Sequence, residues 1–255
     1  MKKLMETALT DRVRGLDDTL FPAQDGKNLA EVSSSVLAAV EEALLAGETH
    51  YTVRPGIPVL RKRLGREILR LGGPSCESLD NILITTSESE ALFVALLGLR
   101  PDPPSILVGD YSHCRYQTLF RVLGYTTESI SDDEDRSRNG IIYRVWTGEE
   151  QSVDSHNLLL RIAIDRNLPD ILDLHETLGL RSLTSFPPYS PNHTILVGNL
   201  NTLPGMGSFR VAFLMGPEPW VSRCRPWKQA FSICTAAPSQ RAALAALDQF
   251  DKGTQ

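Results

Sequence analysis

Several features that would place this 255-residue chain in a specialised class are missing from its sequence. The four cysteines form no CxxC pair, which argues against a zinc knuckle and against a disulfide framework. The longest apolar run, Ala91 to Leu99, is far shorter than the ~20 residues that cross a bilayer. The opening residues have no apolar segment after their lysines, so no secretory signal is predicted. We therefore expect a cytoplasmic protein without a membrane partner.

Basic residues are too few and too scattered to bind a nucleic acid. The chain has 26 basic against 31 acidic residues, and no cluster long enough to neutralise a row of phosphates. The acidic stretch 131–140 is expected to be a solvated loop, because consecutive carboxylates cannot converge on one ion. His175 and Glu176 lack a third ligand at a suitable spacing. We therefore predict neither a nucleic-acid partner nor a metal site.

Segments of helical and strand character alternate along the chain. This alternation predicts an α/β fold with three layers, built on a doubly wound, mostly parallel seven-stranded sheet. The strands that can be located are Asn81–Thr85, Ile106–Val108, Ile141–Val145, Asp170–Leu174, Thr194–Val197 and Val211–Met215. The predicted helices are Glu31–Leu45, Pro58–Leu71, Glu90–Leu99, Tyr116–Leu123, Ser155–Arg166 and Gln240–Phe250. We divide the chain into an N-terminal segment with the first helix, residues 1–45, and a large domain, residues 46–255.

Ligands of such sheets bind beyond the carboxyl ends of the strands, so candidate residues should follow strands directly. Four segments meet this condition: Thr86–Ser89, Asp110–Cys114, Asp173–Glu176 and Gly198–Ser208. The first of these could hold a phosphate with backbone amides and the two serine hydroxyls, although Glu88 opposes an anion and an ordinary capping turn is the alternative. Arg210 follows a glycine-rich loop and could bind a phosphate, or it could be a surface arginine at a strand edge.

The order of these pieces resembles the fold type I, class I and II aminotransferases over roughly residues 30–250. The similarity is carried by HYTVRPGIPVLRKRL, ITTSESEALFVALLGL, YSHCRYQTLFRVLGY, DILDLHE and VGNLNTLPGMGSFRVAFLMGP. Tyr51, Gly56, Leu60 and Arg61 match the family pattern YxxxxGxxxLR. The resemblance implies the large-domain fold, pyridoxal 5'-phosphate as cofactor and a dimer with its active site at the subunit boundary.

The resemblance also implies roles for individual residues. Asp173 falls on the aspartate that pairs with the pyridinium nitrogen, Arg210 on the arginine that binds the cofactor phosphate, and Tyr51 on the tyrosine that reaches the phosphate from the other subunit. The remaining implied cofactor contacts are Ser87 and Ser89 in the phosphate cup, His113 at the position of the ring-stacking aromatic, and Asn199.

Three positions depart from the family pattern. Thr202 stands where the family has the lysine that forms the Schiff base, and a hydroxyl can neither form an imine nor act as a base near neutrality. Val145 replaces the asparagine that contacts the phenolic oxygen of the cofactor, and Glu176 replaces a tyrosine. The family's small domain, with the arginine that binds the substrate carboxylate, would follow the point where this chain ends. We therefore expect no catalytic residue and a weak or lost cofactor site.

Three functions of different class follow from this comparison. The first is a degenerate aminotransferase-like protein of amino acid or specialised biosynthetic metabolism. The second is an active enzyme that works without the lysine, with His113 or His175 as proton carrier. The third is one half of a split transaminase that a separate chain completes. A small amino acid or keto acid is the expected ligand, and a homodimer or a complex with a larger partner is the expected assembly.

Overall fold

A seven-stranded sheet with helices on both faces organises the described part of the chain. The computed structural model describes residues 32–76, 78–109, 116–130, 139–146, 153–174 and 186–252. The strands are β1 (Ile82–Thr85), β2 (Ser105–Val108), β3 (Thr126–Ser129), β4 (Ile141–Val145), β5 (Asp170–Asp173), β6 (Thr194–Asn199) and β7 (Ala212–Met215).

The strand order is β1-β7-β6-β5-β4-β2-β3. Strand β7 runs antiparallel to both of its neighbours, β1 and β6, and the other pairs are parallel. The sheet is therefore mostly parallel, as the sequence predicts. Strand β3 is the one that the sequence does not locate. Its residues, TTES, are polar and half exposed at the sheet edge, so they give no apolar signal.

The helices are α1 (Ser34–Leu45), α2 (Pro58–Arg70), α3 (Glu88–Gly98), α4 (Gln117–Val122), α5 (Val153–Asp165), α6 (Glu218–Ser232) and α7 (Ala237–Lys252). Helix α1 begins after Ser33, whose Oγ accepts a hydrogen bond from the Val36 amide at 3.4 Å. Helix α2 begins with Pro58, whose fixed φ suits the first helical position. The division predicted after residue 45 stays a prediction.

The described residues form three apolar clusters; the smallest packs α5 against Leu107 and Ile142, and the two larger ones lie on opposite faces of the sheet. One contains Ile84, Leu172 and Phe213 from the strands and is covered by helices α1, α2 and α7. The other contains Leu83, Ile171 and further strand residues and is covered by helices α3, α4 and α6. Adjacent residues of one strand alternate between these cores, as the two-residue period of a β-strand requires. The predicted three-layer architecture is confirmed.

The YxxxxGxxxLR segment fixes the chain against the outer edge of β1. The Ile84 amide donates a hydrogen bond to the Pro55 carbonyl at 2.9 Å. Gly56 has φ +106°, and a Cβ at this position would overlap the Ile84 side chain. Arg61 donates from Nε to the Gly56 carbonyl at 3.0 Å and from Nη1 to the Leu79 carbonyl at 2.8 Å. The glycine and arginine of this motif therefore have a structural role.

A buried ion pair, which the sequence does not reveal, connects β4, β5 and β6. Arg144 donates from Nε to Asp170 Oδ1 at 2.7 Å and from Nη2 to Oδ2 at 2.5 Å, and both side chains are fully buried. Thr194 on β6 donates its hydroxyl to the same Asp170 Oδ2 at 2.7 Å. Arg144 Nη1 also donates to the Pro188 carbonyl at 3.0 Å. These bonds fix the neighbouring strands relative to one another.

Candidate active site

The register of the sheet brings the predicted site residues to one end. Thr85 of β1 is opposite Ala212 of β7, which is in turn opposite Asn199 of β6. Asp173 of β5 is opposite both Val197 and Val145. The turn after β1, the loop after β6 and the last residue of β5 therefore lie at the same end of the sheet, beyond the carboxyl ends of these strands. This arrangement is the ligand crevice that the strand pattern predicts.

Asp173 is the central acidic group of this crevice. It is 1% exposed, and its Oδ2 accepts a hydrogen bond from the Tyr143 hydroxyl at 2.8 Å. The Tyr143 ring makes an edge-to-face contact with Phe120, with 5.2 Å between centroids, which fixes the orientation of the phenol. A buried carboxylate oriented in this way can pair with a protonated ring nitrogen. Tyr143 was missed by the sequence analysis because it lies inside an apolar strand run.

The turn Thr86–Ser89 forms the beginning of α3. Ser87 is the N-cap, and its Oγ accepts from the Glu90 amide at 3.1 Å. The Glu90 carboxylate reaches back and accepts at Oε2 from the Thr86 amide at 2.7 Å and from the Thr86 hydroxyl at 2.5 Å. The capping interpretation of the turn is therefore confirmed. Ser89 is exposed and Glu88 is buried, and the role of the two serines toward a phosphate stays a prediction.

The loop from Asn199 to Arg210 is closed by bonds that do not involve position 202. Asn199 Oδ1 accepts from the Asn201 amide at 2.9 Å, and Asn201 Oδ1 accepts from the Val211 amide at 3.1 Å. The Leu200 amide donates to the Val211 carbonyl at 2.8 Å. Within the described residues, the buried Thr202 Oγ1 has no hydrogen-bond partner. A side chain with unused hydrogen-bonding capacity therefore stands at the position expected to hold a lysine.

Arg210 ends this loop in a left-handed backbone conformation, with φ +51° and ψ 68°. Its side chain is exposed and bonds no acceptor in the described part of the chain. The guanidinium is therefore available for an anion at the crevice, although its placement there is a prediction. Tyr51 is 80% exposed, and its role toward another subunit stays a prediction. His113, His175 and Glu176 lie outside the described residues.

A second polar cluster, next to the start of α3, was missed because no sequence motif marks it. Lys228 of α6 is 1% exposed, and its Nζ donates to Ser232 Oγ at 2.9 Å and lies 3.6 Å from Glu90 Oε1. Ser232 also donates its hydroxyl to Glu90 Oε1. Burial lowers the pKa of Lys228 below its ordinary value. Burial raises the pKa of Glu90, but hydrogen bonds from Ser232 and Thr86 outweigh it, so the net pKa is lowered.

The described residues contain no helix of the length and apolarity that a membrane span requires. Among the same residues, no three His, Cys, Asp or Glu side chains are grouped as metal ligands would be.

Comparison with known proteins relates this chain to aminotransferases. A probable N-succinyldiaminopimelate aminotransferase of Mycobacterium tuberculosis is 24% identical over 255 residues, covering 91% of this chain and 63% of the relative. The (5-formylfuran-3-yl)methyl phosphate transaminase of Methanocaldococcus jannaschii is 26% identical over 234 residues, covering 84% and 60%. The chain thus spans about three fifths of the length of these relatives. No protein-family model matches it.

Solved structures agree with these relatives. A mutant aspartate aminotransferase of Thermus thermophilus has a TM-score of 0.73 at 19% identity, covering 89% of this chain and 65% of the other. The N-succinyldiaminopimelate aminotransferase of Mycobacterium tuberculosis has a TM-score of 0.72 at 20% identity, covering 89% and 66%. The homologues and structural neighbours are aminotransferases of fold type I, so the predicted resemblance and the predicted fold are confirmed.

Proposed function

We propose that this chain is an aminotransferase-like protein of amino acid or biosynthetic metabolism that binds pyridoxal 5'-phosphate weakly and without a covalent bond at position 202. The observation that carries the proposal is a combination of two residues in one site. Asp173 stands at the position of the family's aspartate, and Thr202, in the loop after the neighbouring strand, stands at the position of the family's lysine. The name of the Mycobacterium tuberculosis relative, an N-succinyldiaminopimelate aminotransferase, supports an amino acid or keto acid as the ligand class.

The residues present fit the ring and the phosphate of this cofactor, but not its covalent attachment. Asp173 would bind the ring nitrogen, because it is a buried carboxylate oriented by the Tyr143 hydroxyl. Arg210 would bind the phosphate as a charge-assisted pair. When bound, the cofactor supplies an electron sink for carbanion chemistry. The Thr202 hydroxyl can donate or accept a hydrogen bond in the crevice, but it cannot remove a proton from a substrate carbon near neutral pH.

No other lysine with a described side chain replaces the missing one. Lys228 is buried in the cluster with Glu90 and Ser232, at the edge of the sheet near β1. Lys62 is exposed on α2. Asp173 lies on β5, three strands away from β1 in the sheet order. These placements support the proposal that the cofactor is held without a covalent bond.

The test is borohydride reduction of the purified protein with added pyridoxal phosphate, followed by peptide mass mapping. We expect no stoichiometric adduct at any lysine of the wild-type protein. Thr202→Lys is the matched positive control, because the loop closes without the residue 202 side chain, and it should give an adduct at position 202. A stoichiometric wild-type adduct at Lys228 or another lysine would refute the proposal.

We also propose a cytoplasmic homodimer. Leu37, Leu44 and Leu45 of α1 are exposed apolar side chains, with Leu45 82% exposed, close in sequence to the exposed Tyr51. Apolar area of this kind is worth about 25 cal/mol per Å² when it is covered. The described cysteines, Cys76, Cys224 and Cys234, are free, which supports a reducing compartment. Light scattering should give twice the chain mass, whereas a monomer at micromolar concentration would contradict this assembly and a larger complex would indicate a different partner.

A further inference from the structure

A cationic cleft lies beside the outer edge of β1, apart from the strand ends that carry Asp173. Its volume is about 170 Å³, and it lies between the chain before Gly56 and the C-terminal half of α6. The lining residues are Arg54, Pro55, Leu83, Arg225, Lys228, Gln229 and Ile233. This volume is below the ~300–1,000 Å³ of typical small-molecule pockets, so the cleft suits one charged group of a ligand.

Two of the cleft's cations have unused hydrogen-bonding capacity. Arg54 is exposed and has no acceptor or acidic partner within the described ranges. Arg225 uses Nη2 to contact the Asp80 carbonyl at 2.7 Å and the Asp80 carboxylate at 2.8 Å. Its Nε is buried and has no acceptor among the described residues. A buried donor without a partner is unfavourable, and an acceptor supplied by a ligand would remove that penalty.

The third cation, Lys228, is only partly neutralised by its own partner. Glu90 Oε1 lies 3.6 Å from Lys228 Nζ and accepts the Ser232 hydroxyl, and Glu90 Oε2 accepts two bonds from Thr86. The charge of Glu90 is thus shared among several donors. The lining contributes three positive charges, and the carboxylates beside it, Asp80 at Arg225 and Glu90 at Lys228, leave one net positive charge at the cleft. The local excess of positive charge attracts an anion.

We propose that this cleft binds the phosphate group of a small anion. Arginine presents N–H groups in a planar fork that matches phosphate oxygens, and Arg54 adds a positive charge that no described carboxylate neutralises. The site is separate from Arg210, so it does not depend on the proposed cofactor site. The same chemistry is offered by free phosphate and by a phosphate ester, and the two sources can be distinguished by titration.

The experiment is calorimetric titration with inorganic phosphate and with glycerol 3-phosphate, at an ionic strength held constant with chloride. We expect both wild-type and Arg210→Ala protein to bind, and Arg54→Ala and Arg225→Ala each to weaken the affinity about tenfold, the effect of removing a hydrogen bond to a charged group. Arg223→Ala, an exposed arginine on the same helix, is the matched control and should bind as wild type. Melting temperatures without phosphate check that each variant is folded.

The titrations distinguish free phosphate from a phosphate ester as the ligand, and they can overturn the proposal. Binding of the ester at least as tight as that of phosphate identifies a phosphorylated metabolite, and binding of phosphate alone identifies the free ion. The proposal is refuted if neither compound binds, or if Arg54→Ala and Arg225→Ala both bind as wild type. It is also refuted if Arg210→Ala removes all phosphate binding, because the anion would then sit in the crevice and not in the cleft.

Discussion

The buried pair of Arg144 and Asp170 allows the sharpest test of the forces that hold the sheet together. Replacing Asp170 by Asn removes a negative charge at nearly constant volume and leaves a fully buried guanidinium without a counter-ion. Asp170 accepts two bonds from Arg144 and one from Thr194, and the amide can accept at a single oxygen. Breaking a buried pair from one side costs about 3–5 kcal/mol, and we expect a loss of unfolding free energy in this range.

The assay is equilibrium urea unfolding followed by circular dichroism, with the midpoint and the slope fitted separately. A shifted midpoint at an unchanged slope would show that stability itself has changed. Asp165→Asn at the exposed end of α5 is the control, and it should change stability by less than ~0.5 kcal/mol.

A double variant, Arg144→Met with Asp170→Leu, separates the value of the pair from the penalty of an unpaired charge. Apolar replacement of a whole buried pair is often neutral, so the double variant should be more stable than Asp170→Asn. If Asp170→Asn loses less than about 1 kcal/mol, the reasoning that this guanidinium depends on its counter-ion is wrong.

Three further predictions concern the contact of Gly56 with the edge strand β1, the cofactor site, and the stability of the fold at low pH. Gly56→Ala should destabilise the fold by more than the ~1 kcal/mol of an ordinary glycine substitution, measured by urea unfolding, because φ is +106° and Ile84 occupies the Cβ position. In an Arg54→Ala background, which weakens phosphate binding in the separate cleft, Arg210→Ala should abolish pyridoxal phosphate binding in calorimetry and Glu88→Ser should tighten it. Unchanged affinity in both would mean that the crevice is not the cofactor site. Burial raises the pKa of Glu90, but hydrogen bonds in the folded protein outweigh it and lower the pKa overall, so ionised Glu90 stabilises the fold above pH 4.5, the ordinary pKa, and this stabilisation is lost as the pH falls. In Glu90→Gln, the free energy of unfolding measured by urea should therefore fall less steeply toward acid pH.

The layers of the fold could be predicted because they depend on apolar periodicity. The strand runs around Ile84 and Leu172 and the helical spacing of α2 are visible in the sequence, and the structure keeps them within a few residues. Strand β3 was invisible because an edge strand with the sequence TTES buries little. Its position depends on parallel pairing with β2, which is a property of the whole sheet.

The polar contacts of the site could be predicted only in part. Asp173 was a candidate because it ends a buried strand, where ligands of such sheets bind, and Asn199 was a candidate through the family resemblance; both roles stay predictions. The Tyr143 contact with Asp173 joins residues 30 positions apart, and the bond from Ser232 to Glu90 joins residues 142 apart. Such contacts are set by tertiary packing. A single sequence contains no local pattern that reports them.

The loop after β6 closes without using the side chain at position 202, at the centre of the candidate site. Its closure depends on the Asn199 and Asn201 side chains and on one backbone bond to Val211. The Thr202 side chain bonds none of the described residues, so its identity is not fixed by the stability of the loop. The closure of the loop therefore depends on the asparagines and not on the Thr202 side chain. A substitution at position 202 should therefore leave Asp173, on the adjacent strand, with its burial and its bond from Tyr143.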